Sequence, residues 1–191
     1  MTDESPVLLS IDARGVATAT LNRPRVGNAY NEAMLHALII ADASAEALAR
    51  TLADLVPGAV EGVVKRATVA APLEADDSLF EVSDDAGAAF RRLAGGFGAR
   101  AAAISDKGDW LMILVAGVRL AHGWHAAAAD HLRRYPDQAA AVEGDKTGLL
   151  GRRVLLALIA PRAVFAKVGG FNPGDADLKP LMRRLGRVRR L

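Results

Sequence analysis

From Ile39 onward, short apolar runs alternate with longer amphipathic segments, and this alternation limits the fold more than any other feature of the sequence. The runs at 110–114 and 154–160 are apolar, as buried strands are, and the run at 63–71 also has the composition of a strand. Segments with helical spacing separate them. Strands that alternate with helices are typical of a mostly parallel sheet covered by helices, with its ligand crevice at the carboxyl ends of the strands. We therefore expect an α/β fold.

The clearest helix signal lies at 44–58. Ser44 can cap the first turn. Pro57 and Gly58 are expected to end the helix. Four apolar side chains fall on one helical face: Leu48, Leu52, Leu55 and Val56.

The remaining segments give weaker signals. We predict helices over 78–90, 124–134 and 161–168, the last stopped by Gly169 and Gly170. A glycine-rich loop is expected at 94–100 and another loop around Gly144.

The N-terminal segment has two β-rich runs, 7–11 and 16–21, joined by four residues that include Gly15. This pattern predicts a hairpin. Met34, Leu35 and Leu38 then have the spacing of a short helix beginning at Tyr30 or Asn31, whereas 38–40 could equally be a buried strand.

Composition excludes several classes of protein. The 191 residues, 51% of them hydrophobic, suffice for one good core, and no apolar run reaches the roughly 18 residues of a membrane span. The absence of cysteine excludes disulfides and thiolate metal sites. The start "MTDESP" is acidic and polar, unlike a secretory signal, so we expect a soluble, cytoplasmic protein.

Charge gives one further expectation. A net charge of +2 is too small to indicate a nucleic-acid partner, but residues 179–191 carry six basic side chains and no acid. We expect a solvated tail there. A phosphate-rich ligand, an anionic membrane surface and an acidic partner are the alternatives.

Residues 39–191 contain "GGFGAR" (95–100), "GDWLMILVAGVRLAHGW" (108–124) and "PRAVFAKVGGFNPGDADL" (161–178). With these stretches, this part of the chain resembles the family 2 glycosyltransferases of GT-A fold. The resemblance implies transfer of a sugar from a nucleotide sugar to an acceptor hydroxyl. It makes Asp175, followed by Asp177, the general base.

The same resemblance assigns the donor site. Asp76 matches the second acid of the nucleotide-binding turn, while Ala71 stands where the first would be. The glycines Gly95, Gly96 and Gly98 could cradle phosphate through their backbone N–H groups, with Arg100 beside them, although a loop that needs flexible dihedrals is the simpler interpretation.

A divalent Mg²⁺ or Mn²⁺ ion is expected from the resemblance, but its acidic motif falls on Val115, Ala116 and Gly117. These residues offer no side-chain oxygen to a hard cation. The sequence therefore predicts a weakly active enzyme or an inactive pseudoenzyme. Three basic residues could face the diphosphate instead: Lys146, Arg152 and Arg153.

A second resemblance covers residues 5–38. "LNRPRVGNAYNEAM" (21–34) is similar to the N-terminus of the crotonase family, the enoyl-CoA hydratases and isomerases. We therefore divide the chain into 1–38, a borrowed or fused hairpin with a short helix, and 39–191. An acyl-CoA enzyme of crotonase type and a non-catalytic binding domain are the alternative functions.

The remaining polar and aromatic features favour structural roles. His122, His125 and His131 are expected at the surface rather than around a metal. The acid pairs at 76–77 and 84–85 are expected to be solvated or to supply helix N-terminal charge. Trp110 and Trp124 are expected to pack in the core.

Overall fold

The structure is a computed structural model that describes residues 7–11, 17–21, 34–42, 44–104, 108–147 and 152–191. The chain forms two compact units, Met1–Glu32 and Ala33–Leu191. In the first, β1 (Val7–Ile11) and β2 (Ala17–Leu21) pair antiparallel, which confirms the predicted hairpin. Its turn and residues 22–33 lie outside the described residues.

The second unit contains a seven-stranded sheet of order β5-β4-β3-β6-β8-β7-β9. Only β8 runs against its neighbours among the paired strands described. The strands are β3 (Leu35–Ile40), β4 (Val64–Pro72), β5 (Ala89–Leu93), β6 (Trp110–Val115), β7 (Ala140–Thr147), β8 (Arg152–Pro161) and β9 (Arg189–Arg190). The predicted α/β fold with a mostly parallel sheet is confirmed.

Helices cover both faces of this sheet. They are α1 (Ala45–Val60), α2 (Asp77–Asp85), α3 (Phe97–Ala103), α4 (Trp124–Arg134), α5 (Arg162–Lys167) and α6 (Leu178–Leu185). Helices α1, α2 and α4 build one hydrophobic cluster with the sheet, and α3, α5 and α6 build the other. No helix in the described ranges is long and apolar enough to cross a membrane.

Strand β3 resolves the ambiguity around residues 34–40. Leu35, Ala37 and Ile39 contribute to one cluster, while Leu38 and Ile40 contribute to the other. Because the run is buried on both faces between two parallel neighbours, the pattern is that of a central strand, and the short helix proposed there is wrong. Strand β3 includes residue 38, after which the sequence predicts a boundary between two parts of the chain. That boundary stays a prediction.

Helix α1 starts as predicted and ends later. The Ser44 hydroxyl accepts the amide N–H of Ala47 at 3.3 Å. The helix continues through Pro57 because the carbonyls of Pro57 and Gly58 still find donors, at Glu61 and Val63. Val56 is 54% exposed, so it does not belong to the buried face.

Two further boundaries differ from prediction. The expected helix over 78–90 stops at Asp85, because Gly87 turns the chain at φ +67° and Ala89 begins an edge strand. The expected glycine-rich loop is short, since Phe97 already begins α3. The residues around Gly144 belong to β7 rather than to a loop, and they pair with β8.

The basic C-terminus is not a solvated tail. Leu178, Leu181 and Leu185 of α6 are buried against the sheet, and β9 pairs with β7. The basic residues fill the other face of this helix. The sequence does show the apolar spacing of a helix face, Leu178-x-x-Leu181-x-x-x-Leu185. The many basic residues around it favour the prediction of a solvated tail instead.

Candidate functional site

The strand order creates a crevice beside β3. The chain passes from β3 to β4 and β5 on one side and then returns to β6 on the other side of β3. In α/β sheets ligands bind outside the carboxyl ends of the strands at such a switch point. The residues that follow β3 and β6, Ala41–Asp42 and Ala116–Gly117, therefore form the two sides of the candidate site.

Asp42 is the charged group that β3 delivers to this crevice. Its side chain is 48% exposed, while that of its ion-pair partner Arg100 is 5% exposed. Arg100 donates from Nη2 to Asp42 Oδ1 and from Nη1 to the Gly95 carbonyl oxygen at 3.0 Å. A buried guanidinium thus fixes a carboxylate that still faces solvent.

Sequence reasoning missed Asp42. The available signal was an acid two residues beyond the mainly apolar run 35–40, which contains one histidine, His36, and an acid there stands where a parallel strand ends at the crevice. Because residues 34–38 also have helical spacing, the sequence alone does not show where this strand ends.

Gly98 is not a free phosphate donor. Its amide N–H donates to the Asp175 carbonyl oxygen at 2.9 Å. A Cβ at this position would clash with the Asn172 carbonyl oxygen and lie 2.9 Å from the Asp175 amide nitrogen. Glycine is required here by close packing between α3 and the 172–175 turn. Gly96 faces open space, and Gly95 has φ +88°.

Asp175 lies in the same contact network and is held by Arg184. Arg184 Nη1 donates to Oδ1 at 3.1 Å and Nη2 to Oδ2 at 2.6 Å, and the Asn172 amide donates to Oδ2 at 2.9 Å. The hydrogen bonds from Arg184 lower the pKa of Asp175 despite its burial. A carboxylate so stabilised accepts a proton weakly. Its role as a general base stays a prediction.

Asp76 and Asp177 both cap helices. Asp76 Oδ1 accepts the Ser78 amide at 2.8 Å. Hydrogen bonding to the Ser78 side chain, and secondly to its backbone amide, lowers the pKa of the exposed Asp76 carboxyl. Asp177 Oδ1 accepts the Lys179 amide at 2.7 Å. Of the predicted site residues, direct hydrogen bonds join Gly95 to Arg100 and Gly98 to Asp175.

The segment expected to hold a metal is tied to α1 instead. Gly117 has φ +97°, and its amide donates to Thr51 Oγ1 at 2.8 Å. Thr51 Oγ1 lies 3.2 Å from the Val118 carbonyl oxygen. Asp54 Oδ2 accepts the Leu120 amide and Arg119 Nε, both at 2.9 Å. Thr51 and Asp54 thus hold residues 117–120 of the loop between β6 and α4.

This donor set does not fit Mg²⁺ or Mn²⁺. Over the described ranges, no three or more Asp, Glu or His side chains gather in a way that could hold a metal ion. At the expected position the groups are aliphatic side chains and backbone already engaged with Thr51. Hard divalent cations need several free oxygens.

The other sequence features have structural roles. His131 is 2% exposed, and its Nε2 lies 2.7 Å from the Gln138 carbonyl oxygen, so its expected surface position is wrong; burial lowers its pKa. Trp110 and Trp124 are buried as predicted. Lys146 pairs in register with Arg153, and the side chains of these two and of Arg152 lie outside the described part.

Comparison with solved structures supports the fold. The chain is similar to glucosyl-3-phosphoglycerate synthase from Mycobacterium tuberculosis at 14% identity and a TM-score of 0.60, over 82% of this chain and 69% of that one. It is also similar to mannosyl-3-phosphoglycerate synthase from Rubrobacter xylanophilus, at 13% identity and a TM-score of 0.57, over 82% of this chain and 64% of that one. A third similar structure is 4-diphosphocytidyl-2C-methyl-D-erythritol synthase from Anaerococcus prevotii, at 11% identity and a TM-score of 0.54, over 84% of this chain and 89% of that one.

These likenesses define a GT-A-like α/β fold, which confirms the fold implied by the glycosyltransferase resemblance. The chain spans less than two thirds of the mannosyl-3-phosphoglycerate synthase chain. No family model and no curated protein sequence matches this chain. The crotonase resemblance of residues 5–38 therefore receives no support, and the sheet of residues 35–190 is not the repeated ββα superhelix of that family.

Proposed function

We propose that the protein is a glycosyltransferase-like protein that binds a nucleotide sugar in the crevice between the ends of β3 and β6. The observation that carries this proposal is Asp42, which stands at the switch point with its carboxylate oriented by buried Arg100. A carboxylate at such a point can accept hydrogen bonds from ribose hydroxyls. The outward-facing part of Asp42 is available for this contact.

The solved neighbours support this class of ligand. Glucosyl-3-phosphoglycerate synthase has been solved in complex with Mn²⁺, UDP-glucose and phosphoglyceric acid. A nucleotide sugar and a hydroxyl-bearing acceptor are thus the ligands that a protein of this fold accommodates. The same fold serves a 4-diphosphocytidyl-2C-methyl-D-erythritol synthase, so the fold by itself does not select the reaction.

Sugar transfer by this protein is proposed to be slow or absent. Departure of a nucleoside diphosphate needs positive charge to offset the negative charge that develops, and the described crevice supplies no metal-binding carboxylate cluster. Asp175 is proposed as the proton acceptor, with Asp177 behind it, and the pKa of Asp175 is lowered by Arg184. Both features favour donor binding over rapid turnover.

The test is calorimetric titration of the full chain with UDP-, GDP- and TDP-sugars, with and without Mn²⁺. We expect one nucleotide sugar to bind with an affinity that Mn²⁺ changes little. Asp42→Asn should weaken it by about tenfold, since hydrogen bonds to a carboxylate contribute about 1.5–3 kcal/mol. Asp130→Asn, which removes an exposed carboxylate of α4, is the matched control. Absence of binding to every sugar nucleotide would refute the proposal.

A non-catalytic binding domain is the second candidate. The observation that favours it is the fastening of the β6–α4 loop to Thr51 and Asp54 where catalytic relatives are expected to place metal ligands. Donor hydrolysis and transfer assays on the same preparation separate the two candidates. Binding without any release of nucleoside diphosphate over hours would favour the binding domain.

A further inference from the structure

A second concave site lies at the edge of the sheet. A groove of about 410 Å³ runs between the first half of β4, the edge strand β5 and the end of α3. We call it the edge groove. Its walls include Arg66 and Thr68 from β4, Arg91 and Leu93 from β5, and Ile104 after α3.

The edge groove is separate from the crevice. The groove follows the edge strand β5 from Ala89 to its last residue, Leu93, and reaches Arg66 near the start of β4. The crevice lies on the other side of β4, where β3 and β6 end. Asp42 and Gly117 do not line the edge groove. A ligand here would therefore occupy a different site from the proposed nucleotide sugar.

Two arginines of the edge groove have no anionic partner. The guanidinium groups of Arg66 and Arg91 make neither a hydrogen bond nor an ion pair with any residue in the described ranges. Other arginines nearby do: Arg92 pairs with Asp77, and Arg100 pairs with Asp42. No acidic side chain lines the groove. Two guanidinium groups on neighbouring strands thus leave a concentration of positive charge.

Thr68 adds a hydroxyl to these charges. The residue as a whole is 7% exposed, but its hydroxyl oxygen is not among the buried unpartnered atoms of the described residues, so it is accessible from the groove. A tetrahedral oxyanion in the groove would accept from both guanidinium groups and from this hydroxyl.

From this arrangement we infer that the edge groove binds a phosphate group, either free or as a small phosphate monoester. Arginine recognises phosphate through paired N–H donors, and a threonine hydroxyl supplies a third. Leu93 and Ile104 give the groove an apolar side on which the organic part of an ester can rest. The phosphate binding expected from the sequence, at Gly95–Gly98 or at the C-terminus, involves residues outside the edge groove.

The experiment titrates the full chain with inorganic phosphate, in buffers held at constant ionic strength with chloride. Binding is followed by calorimetry and by chemical-shift changes at Thr68. We expect saturable binding that the double variant Arg66→Gln/Arg91→Gln weakens by at least about tenfold. Thr68→Val, which keeps the β-branched shape, should weaken it by a smaller factor. Arg183→Gln removes an exposed charge from α6 and should leave it unchanged.

Non-saturable binding would overturn the inference. So would equal affinity in the wild type and the double variant, or a loss of affinity in Arg183→Gln as large as in the double variant. Thermal unfolding in chloride checks that each variant is folded. Titration with glycerol phosphate under the same conditions distinguishes an ester from free phosphate: tighter binding assigns the ester, and equal binding assigns phosphate alone.

Discussion

At Gly98, the addition of one methyl group would bring a side chain into contact with the backbone of another segment. A Cβ there would overlap the Asn172 carbonyl oxygen and crowd the Asp175 amide. Neither atom can rotate away, because the 172–175 turn is held by its own hydrogen bonds and by Arg184. Gly98 therefore controls how closely α3 approaches the segment that carries Asp175.

We predict that Gly98→Ala destabilises the protein by about 2–3 kcal/mol, as overpacking of a tight contact does. Urea unfolding followed by circular dichroism measures this change. Gly96→Ala is the control, since its Cβ would meet nothing within 4 Å, and as a change at the N-cap of α3 it should cost only about 0.5–1 kcal/mol. Equal stability of the two variants would contradict the packing found at Gly98.

Asp175 and Arg184 make the stability depend on acid. The pKa of Asp175 is lowered in the folded protein, so its carboxylate stabilises the fold above its unfolded pKa of about 3.9. This stability is lost as pH falls below that value, because the unfolded chain takes up the proton more readily. Asp175→Asn should cost about 2 kcal/mol at pH 7 and flatten the loss between pH 4 and 2.

Unfolding curves at several pH values test this linkage. Asp177→Asn, which changes an exposed helix cap on the same segment, is the comparison. A wild type and an Asp175→Asn variant with parallel stability profiles below pH 4 would show that the Arg184 pair is not formed in solution.

At the scale of elements, the β6–α4 loop depends on α1. The Gly117 amide and the Val118 carbonyl both contact one hydroxyl, that of Thr51. We predict that Thr51→Val destabilises the protein by about 1–2 kcal/mol, because the Gly117 N–H is left without its partner.

Hydrogen exchange at the Gly117 amide gives the local readout for this prediction. Exchange should be faster in Thr51→Val and near wild type in Thr51→Ser, which keeps the hydroxyl. If Thr51→Val leaves this amide as protected as before, the loop is held by Asp54 alone.

Elements with a local signal could be predicted from the sequence, and elements with a non-local cause could not. Ser44 and the spacing of Leu48, Leu52 and Leu55 identify α1 without any tertiary information. Strand β7 exists because β8 pairs with it, and its irregular register at Glu143 leaves no clean alternation to detect. The end of α2 depends on a single positive φ at Gly87.

The candidate site was predictable to a similar extent. The absence of acids at Val115–Gly117 is visible in the sequence, as is the position of Asp175. The partner of each acid is not, because Arg100 lies 58 residues from Asp42, and only the folded chain brings them together. Arg66 and Arg91 likewise become one site only when β4 and β5 pair.

At the scale of the whole molecule, the C-terminal helix closes the core. Leu181 is fully buried in α6, while the basic residues two positions away on either side, Lys179 and Arg183, are exposed. We predict that Leu181→Ala costs about 2–5 kcal/mol, the range for large-to-small changes in a core.

Thermal and urea unfolding measure this cost. Met182→Ala, on the half-buried side of the same helix, should cost less. If both variants lost only a small and equal amount of unfolding free energy, α6 would not be packed in the core, and the C-terminus would be the solvated tail that the charge pattern predicts.

The hydrogen bond between Thr51 and Gly117 also limits which mutations at position 117 the protein can tolerate during evolution. An acid introduced at position 117 by one mutation would adopt a φ of +97° that costs about 1–3 kcal/mol. Thr51 would still hold the backbone of the loop against α1, so a metal-binding loop needs a further substitution in the helix. The first mutant is therefore less stable and gains nothing in return. Selection on stability therefore acts against a carboxylate at position 117, whatever the crevice binds.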